Sequence, residues 1–337
     1  MRHIAIVSIV LVCASFSFVF SQKPAKKAPA PIEIVPTKGY SAPEFEDSPV
    51  LQTLLNTAAG EVINSYREKG FKMEDMAATL IDLRSPEKIR TANLAGDRRI
   101  YPASVVKMFY MAALHQQLQD GKIKLTPELE RGLKDMIVDS SNEATQYILD
   151  VLTGTSSGAE MPEKEFAEWS YKRNRVNRYY TAMEYTGINV NQKTFCEDAY
   201  GVEQQSRNYK GQNRNMLTTN ATARLLAEIA LGRMVSKERS ALMMTLLKRD
   251  PFAPAKDPDD QAHAFSGKAL ADKKETGARI WSKAGWTSKS RHDAAYIETA
   301  DGLKFVLVVF TENHATEKEP IPAIAGKIID GLRKIKE

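Results

Sequence analysis

The chain has 337 residues, 47 Lys+Arg against 42 Asp+Glu for a formal net charge of +5, and 43% hydrophobic content. Charged residues at 26%, with 18 Gly and 15 Pro, exclude a disordered polyelectrolyte and a collagen-like chain, and 2 Cys exclude a disulfide scaffold. So small a positive charge selects no particular partner.

The first element is an apolar run from Ile4 to Phe20, broken only by Ser and Cys13 and preceded by Arg2. It is short for a bilayer-crossing helix, and small residues near Ser21 suit cleavage, so residues 1–21 read as a signal peptide. That predicts an exported chain, periplasmic or secreted, with no stable membrane span after cleavage and one remaining thiol, Cys196. Residues 22–49 carry Pro24, Pro29, Pro31, Pro36, Pro43 and Pro49 among lysines without sustained periodicity, and read as a tether that carries no chemistry.

Regular patterning begins at Val50, and residues 50–337 read as one domain. Leu51, Leu54, Leu55, Ala58, Ala59, Val62 and Ile63 recur at helical spacing. A buried strand is expected over 76–83 and a second over 88–94. Val105, Met108, Phe109, Ala112 and Ala113 place one apolar face on a helix over 104–118, which stops at Asp120-Gly121. Further helices are expected at 127–138, 142–152, 221–232 and 237–248, strands at 279–282, 293–299 and 304–311, and a last helix at 321–334. Strands at both ends and helices between them predict an α+β domain. Its antiparallel sheet would join the two ends of the chain, with flanking helices and an all-helical middle.

Three short patterns carry chemistry. In Tyr101-Pro-Ala-Ser104-Val-Val-Lys107, Ser and Lys lie three apart at a helix start, so the amine can reach the hydroxyl on one face. The free N–H groups there favour developing negative charge, and a Ser beside a deprotonated Lys is an activated nucleophile. Val138-Asp-Ser140-Ser-Asn142 follows in a break between helices, and Ile280-Trp-Ser-Lys283-Ala-Gly285-Trp-Thr lies on a strand near the C-terminus. Glycine there lets a ligand approach the strand edge.

In this order and spacing the three patterns resemble the class A β-lactamase and penicillin-binding protein superfamily of active-site serine enzymes. Pro102-Ala-Ser104, Asn142-Glu-Ala-Thr and Arg291-His-Asp-Ala-Ala strengthen the likeness. The resemblance implies that Ser104 is acylated, Lys107 is its base and Ser140 protonates the leaving nitrogen. Asn142 would bind Lys107 and the substrate side chain. Lys283 would attract a substrate carboxylate and help lower the pKa of Lys107. The backbone N–H groups of Ser104 and Trp286, beside Gly285, would form the oxyanion hole.

The sequence departs from the pattern twice. Ala284 stands where a Thr or Ser hydroxyl is usual, and the Glu-x-x-Leu-Asn string that supplies the deacylating Glu in class A enzymes is missing. Glu197, Asp198 and Glu203 are candidates for that role by position only.

The implied activity is a serine hydrolase that opens β-lactam rings. The alternatives are a D-Ala-D-Ala peptidase-like penicillin-binding protein with slow deacylation, and a catalytically silent cell-wall binding relative. The partner expected is a β-lactam or cell-wall peptide, met by a monomer without cofactor. His3, His115, His263, His292 and His314 show no metal-ligand spacing, so no metal is expected. Trp169-Ser-Tyr171-Lys-Arg173-Asn-Arg175-Val-Asn-Arg178-Tyr-Tyr180 interleaves bases and aromatics. In an exported protein it reads as a solvated helix face with aromatic packing, not a nucleic-acid site. Cys196 reads as a small buried residue or an incidental thiol.

Overall fold

The computed structural model describes residues 33–335 apart from Gln212, Lys256 and Pro258, so the expected signal peptide and the start of the expected tether lie outside the described residues. The chain begins with β1 (Glu46–Asp47) and α1 (Pro49–Ser65), then β2 (Met76–Asp82) and β3 (Arg90–Leu94). A helical stretch follows: α2 (Lys107–Gln119), α3 (Pro127–Ile137), α4 (Asn142–Thr153), α5 (Glu163–Arg173), α6 (Arg175–Ala182), α7 (Val202–Asn208), α8 (Thr219–Ala230) and α9 (Lys237–Leu247). The chain closes with β4 (Lys248–Arg249), α10 (Ser266–Asp272), β5 (Arg279–Trp286), β6 (Ser290–Glu298), β7 (Lys304–Glu312) and α11 (Pro320–Leu332).

These strands form one sheet in the order β1-β3-β2-β7-β6-β5-β4, antiparallel except for β1 beside β3. β2 pairs with β7 from Met76 opposite Thr311 to Asp82 opposite Phe305, so the sheet does join the two ends of the chain. Both faces are buried. Along β7, Val306, Val308 and Phe310 enter the core shared with the middle helices, while Phe305, Leu307 and Val309 enter a second core under α1, α10 and α11. Period-two alternation with apolar residues on both faces is why this strand reads as one continuous apolar run.

α2 runs through the centre of the helical layer, and every residue from Lys107 to Leu118 is buried. The one-faced pattern expected there therefore understates the packing, because a helix surrounded on all sides must be tolerable all round. Its polar members need partners inside, and Lys107 is one of them.

Three expectations change. Within the stretch expected as tether, residues 33–48 lie against the domain. Ile34 is buried, Glu33 pairs with Arg178 at 2.7 Å, Thr37 donates to Val235 O at 2.9 Å, and the Tyr40 hydroxyl donates to Glu228 at 3.0 Å. Proline-rich composition hid a few well-spaced anchors whose partners lie far along the chain. The stretch expected as a solvated face is largely buried, with Tyr171 left exposed: Arg173, Tyr179 and Tyr180 are fully buried, and Arg173 lies over the Trp169 ring, 4.3 Å from its centroid. Its charge meets a carboxylate 30 residues on, which periodicity cannot reveal. Finally, β5 continues to Trp286 instead of stopping at residue 282, and so carries the third pattern from Ile280 through Trp286. Among the described residues no helix is long and apolar enough to cross a membrane.

Ile34→Ala tests the anchoring of the N-terminal segment. Loss of a buried aliphatic side chain of this kind costs about 2–4 kcal/mol. Urea unfolding is expected to show a drop of that order, and an unchanged midpoint would return residues 33–48 to the tether.

Candidate active site

Ser104 sits in a 3₁₀ turn, Ala103–Val106, that leads into α2 at Lys107. Two contacts set this turn against the sheet. Gly285 on β5 lies so close that a Cβ built on it would come within 2.6 Å of Ser104 N and 2.9 Å of Pro102 O. The glycine is thus required by close approach of two backbones. On β6, buried His292 holds the chain just before the turn. Thr311 N–H donates to its Nδ1 at 3.2 Å, so Nε2 carries the proton and donates to Tyr101 O at 2.9 Å. Burial pushes the His292 pKa down to about 4, which keeps this tautomer neutral. Ala103 is held at φ 45, in the left-handed region, immediately before the serine.

One turn on, Lys107 is buried. Its Nζ donates to Ser140 O, to Asn142 Oδ1 at 3.0 Å and to Ser140 Oγ at 3.3 Å. Among the described residues no hydrogen bond joins it to Ser104 Oγ, so the direct contact expected from the three-residue spacing is replaced by contacts with the second pattern. Burial lowers the Lys107 pKa to about 7, opposed by Glu143 and Cys196. A neutral amine has two N–H groups and one lone pair. The two acceptors Ser140 O and Asn142 Oδ1 use the N–H groups and leave the lone pair for a hydroxyl.

Ser140 belongs to the tight link between α3 and α4 and has φ 60, again left-handed for a residue with a side chain. Its Oγ also accepts from Lys283 Nζ at 2.9 Å, so one hydroxyl connects the two lysines. Lys283 is fully buried on the helical face of β5. Burial, Lys107 and Arg249 push its pKa well below the ordinary lysine value, while Asp293 opposes the shift. Burial is the first cause of the lowered pKa of both lysines, and repulsion between them disfavours charging both at once.

Sequence reasoning missed Gln261. Its Oε1 accepts from Lys283 Nζ at 2.7 Å and from Ala284 N at 3.1 Å, and its Nε2 donates to Val138 O at 2.9 Å. An amide suits this place because it offers an acceptor to the ammonium and a donor to the carbonyls at the end of α3. Arg249 donates to Ile137 O from the other side at 3.0 Å. No motif marks either residue, and only the fold brings them here.

The oxyanion candidates follow from strand geometry. Thr287 N–H bonds Ser290 O, so antiparallel alternation turns the N–H groups of Ala284 and Trp286 away from β6 toward the sheet edge. Gln261 takes the first. Trp286 N–H faces the same edge as the serine turn, and its indole, 42% exposed, forms an outer wall. Ala284 is buried among apolar residues on the opposite face.

The three acidic candidates separate. Glu203 is buried in a two-pronged pair with Arg173, at 2.7 and 2.8 Å, with Lys193 at 3.4 Å and Ser157 Oγ at 2.9 Å. Although burial acts to raise its pKa, these partners together lower it. Glu203 is thus a structural ion pair and not a base poised at Ser104, which corrects that candidate. Asp198 pairs with Arg207, and Glu197 lies exposed beside it, in a recess shared with Tyr101 and Arg214. Cys196 is exposed, which excludes the buried alternative of its two readings, and Asn142 Nδ2 donates to its Sγ at 3.3 Å, so the thiol stands at the rim of the site.

A family model described as the beta-lactamase enzyme family matches residues 126–331, more than half of the chain. The chain belongs to the β-lactamase enzyme family. The matched stretch contains Ser140, Asn142, Lys283 and Gly285, while Ser104 and Lys107 precede it. A β-lactamase from Sphaerobacter thermophilus superposes with a TM-score of 0.60 at 19% identity, over 84% of this chain and 99% of that one. PBP-A superposes at 0.58 with 17% identity, over 88% and 100%. A PBP-A variant solved as an acyl-enzyme with penicillin G gives 0.57 and 17%, over 83% and 98%. Likeness at these identities shows the fold. Comparison with curated proteins returned no match.

Gly285→Ala tests the close approach in this β-lactamase-family chain. The added methyl must push the serine turn away from β5, and a displacement of about 1 Å costs roughly 100-fold in rate. Acylation followed by intact mass is expected to fall by about that factor with the fold retained by circular dichroism, and a variant that acylates like wild type would contradict the geometry.

Proposed function

We propose that the protein is an active-site serine hydrolase that opens β-lactam rings through an acyl-enzyme on Ser104. The observation that carries the reading is Lys107, a buried amine with its pKa lowered to about 7, held by Ser140 and Asn142 one turn from Ser104. Near neutral pH a large fraction of such an amine has a free lone pair, which suits a general base.

In the proposed reaction Lys107 takes the Ser104 proton as Oγ attacks the lactam carbonyl. The developing oxyanion accepts from the N–H groups of Ser104 and Trp286. As the C–N bond breaks, Ser140 gives its hydroxyl proton to the leaving nitrogen. The proton now on Lys107 Nζ, 3.3 Å from Ser140 Oγ, replaces it. The lysine ends neutral, and the serine ends as an ester. Asn142 would meet the acyl side chain, and Lys283 would hold the orientation of Ser140.

Hydrolysis of that ester needs a base for water. Because Glu203 is bound to Arg173 and Lys193, a specific observation favours slow deacylation, as in a penicillin-binding protein acting on cell-wall peptide. The apolar run at residues 4–20 supports export to the periplasm or the exterior as part of the same reading.

The test is a time course with a chromogenic β-lactam in excess. Wild type is expected to give a burst of one equivalent, an adduct on Ser104 by intact mass and then slow turnover, with both phases lost in Ser104→Ala. No adduct in wild type would overturn the proposal.

A further inference from the structure

The lysine of the third pattern is expected to attract a substrate carboxylate, but its donors are already used. An ammonium has three N–H groups. Lys283 Nζ donates to Ser140 Oγ at 2.9 Å, to Gln261 Oε1 at 2.7 Å and to Ala284 O at 2.8 Å. The side chain is fully buried. The next position on the strand is Ala284, which has no hydroxyl to offer, and its outward N–H is taken by the same Gln261 Oε1 at 3.1 Å. One glutamine therefore fills both places where an anion beside the reacting amide would find a donor on this strand.

Gln261 is itself fixed. It is buried, and its amide nitrogen donates to Val138 O at 2.9 Å and Ile137 O at 3.3 Å. Displacing it would leave Val138 O, just past the end of α3 and two residues before Ser140, short of this donor, while Ile137 O keeps Arg249. A ligand carboxylate thus competes against a satisfied network, not against water.

Building on the acyl-transfer reading of this site, we infer that Gln261 is a specificity-determining residue. It commits Lys283 to Ser140 and closes the anion subsite on β5, so that a β-lactam is taken with little regard to the carboxylate next to its ring nitrogen. Neutral β-lactams, such as esters or monocyclic lactams without that acid, belong to its substrate class.

The experiment compares a chromogenic cephalosporin as its free acid and as its methyl ester, with second-order acylation rates of the full protein read by intact mass. The inference expects the acid to exceed the ester by less than about tenfold in wild type, since a charge-assisted hydrogen bond to the acid alone would exceed that factor. In Gln261→Ala, which frees an N–H of Lys283 and that of Ala284, the preference for the acid is expected to rise about tenfold. Gln261→Met, of similar volume, serves if the alanine variant loses its fold. A wild-type preference for the acid above tenfold, or a ratio unmoved by the substitution, overturns the inference while leaving acyl transfer intact. Absence of a Ser104 adduct with either form overturns the acyl-transfer reading and the inference with it.

Discussion

Two buried amines meet at one hydroxyl. Ser140 Oγ lies between Lys107 Nζ at 3.3 Å and Lys283 Nζ at 2.9 Å, and the rest of the site is arranged so that this junction can exist. Burying an ammonium is costly unless its donors are met, and proteins answer either with partners or with a lowered pKa. Here both answers are used. Backbone and amide oxygens meet the N–H groups, and the amine on α2 is left close to neutrality at physiological pH. A group that could shuttle a proton is thereby placed next to the serine turn without any carboxylate in direct contact.

The junction requires three segments from distant parts of the chain to be held in register, and the surrounding structure supplies the constraints. The sheet brings Gly285 against the serine turn, and neutral His292 fixes Tyr101. Gln261 with Arg249 ties the end of α3 to the β5 side of the sheet. Two of the eight non-glycine residues with positive φ among the described residues stand at the site, Ala103 before the serine and Ser140 itself. Such conformations cost of order 1–3 kcal/mol each and persist only when the surroundings over-determine them. The fully buried α2 and the two-sided sheet provide that surplus.

Much of this was readable in advance, for identifiable reasons. The continuous apolar run of β7 and the spacing in α1 report local periodicity, which a sequence carries openly. The three patterns could be read because each joins its residue types at short spacing, and the fold brings them to one place. What could not be read depends on partners distant in sequence. Arg173 looked solvent-facing because Glu203 lies 30 residues on, and Glu203 looked available for the same reason. Gln261 belongs to no pattern, and its four contacts reach the α3 terminus and β5. Ile34 and Tyr40 were hidden by prolines that signal extension but do not forbid docking.

The central claim is that Lys107 is a neutral base near pH 7 because it is buried. The most direct measurement is an NMR titration of the lysine side chains labelled with ¹⁵N at Nζ and ¹³C at Cε, with Lys107 assigned by Lys107→Arg. A folded-state pKa below the ordinary lysine value means that the charged form is disfavoured in the fold, so the amine gains its proton only as pH falls. The account predicts a midpoint at about 7, more than three units below the 10.5 of a free lysine. A resonance that stays ammonium-like up to pH 9 would contradict it.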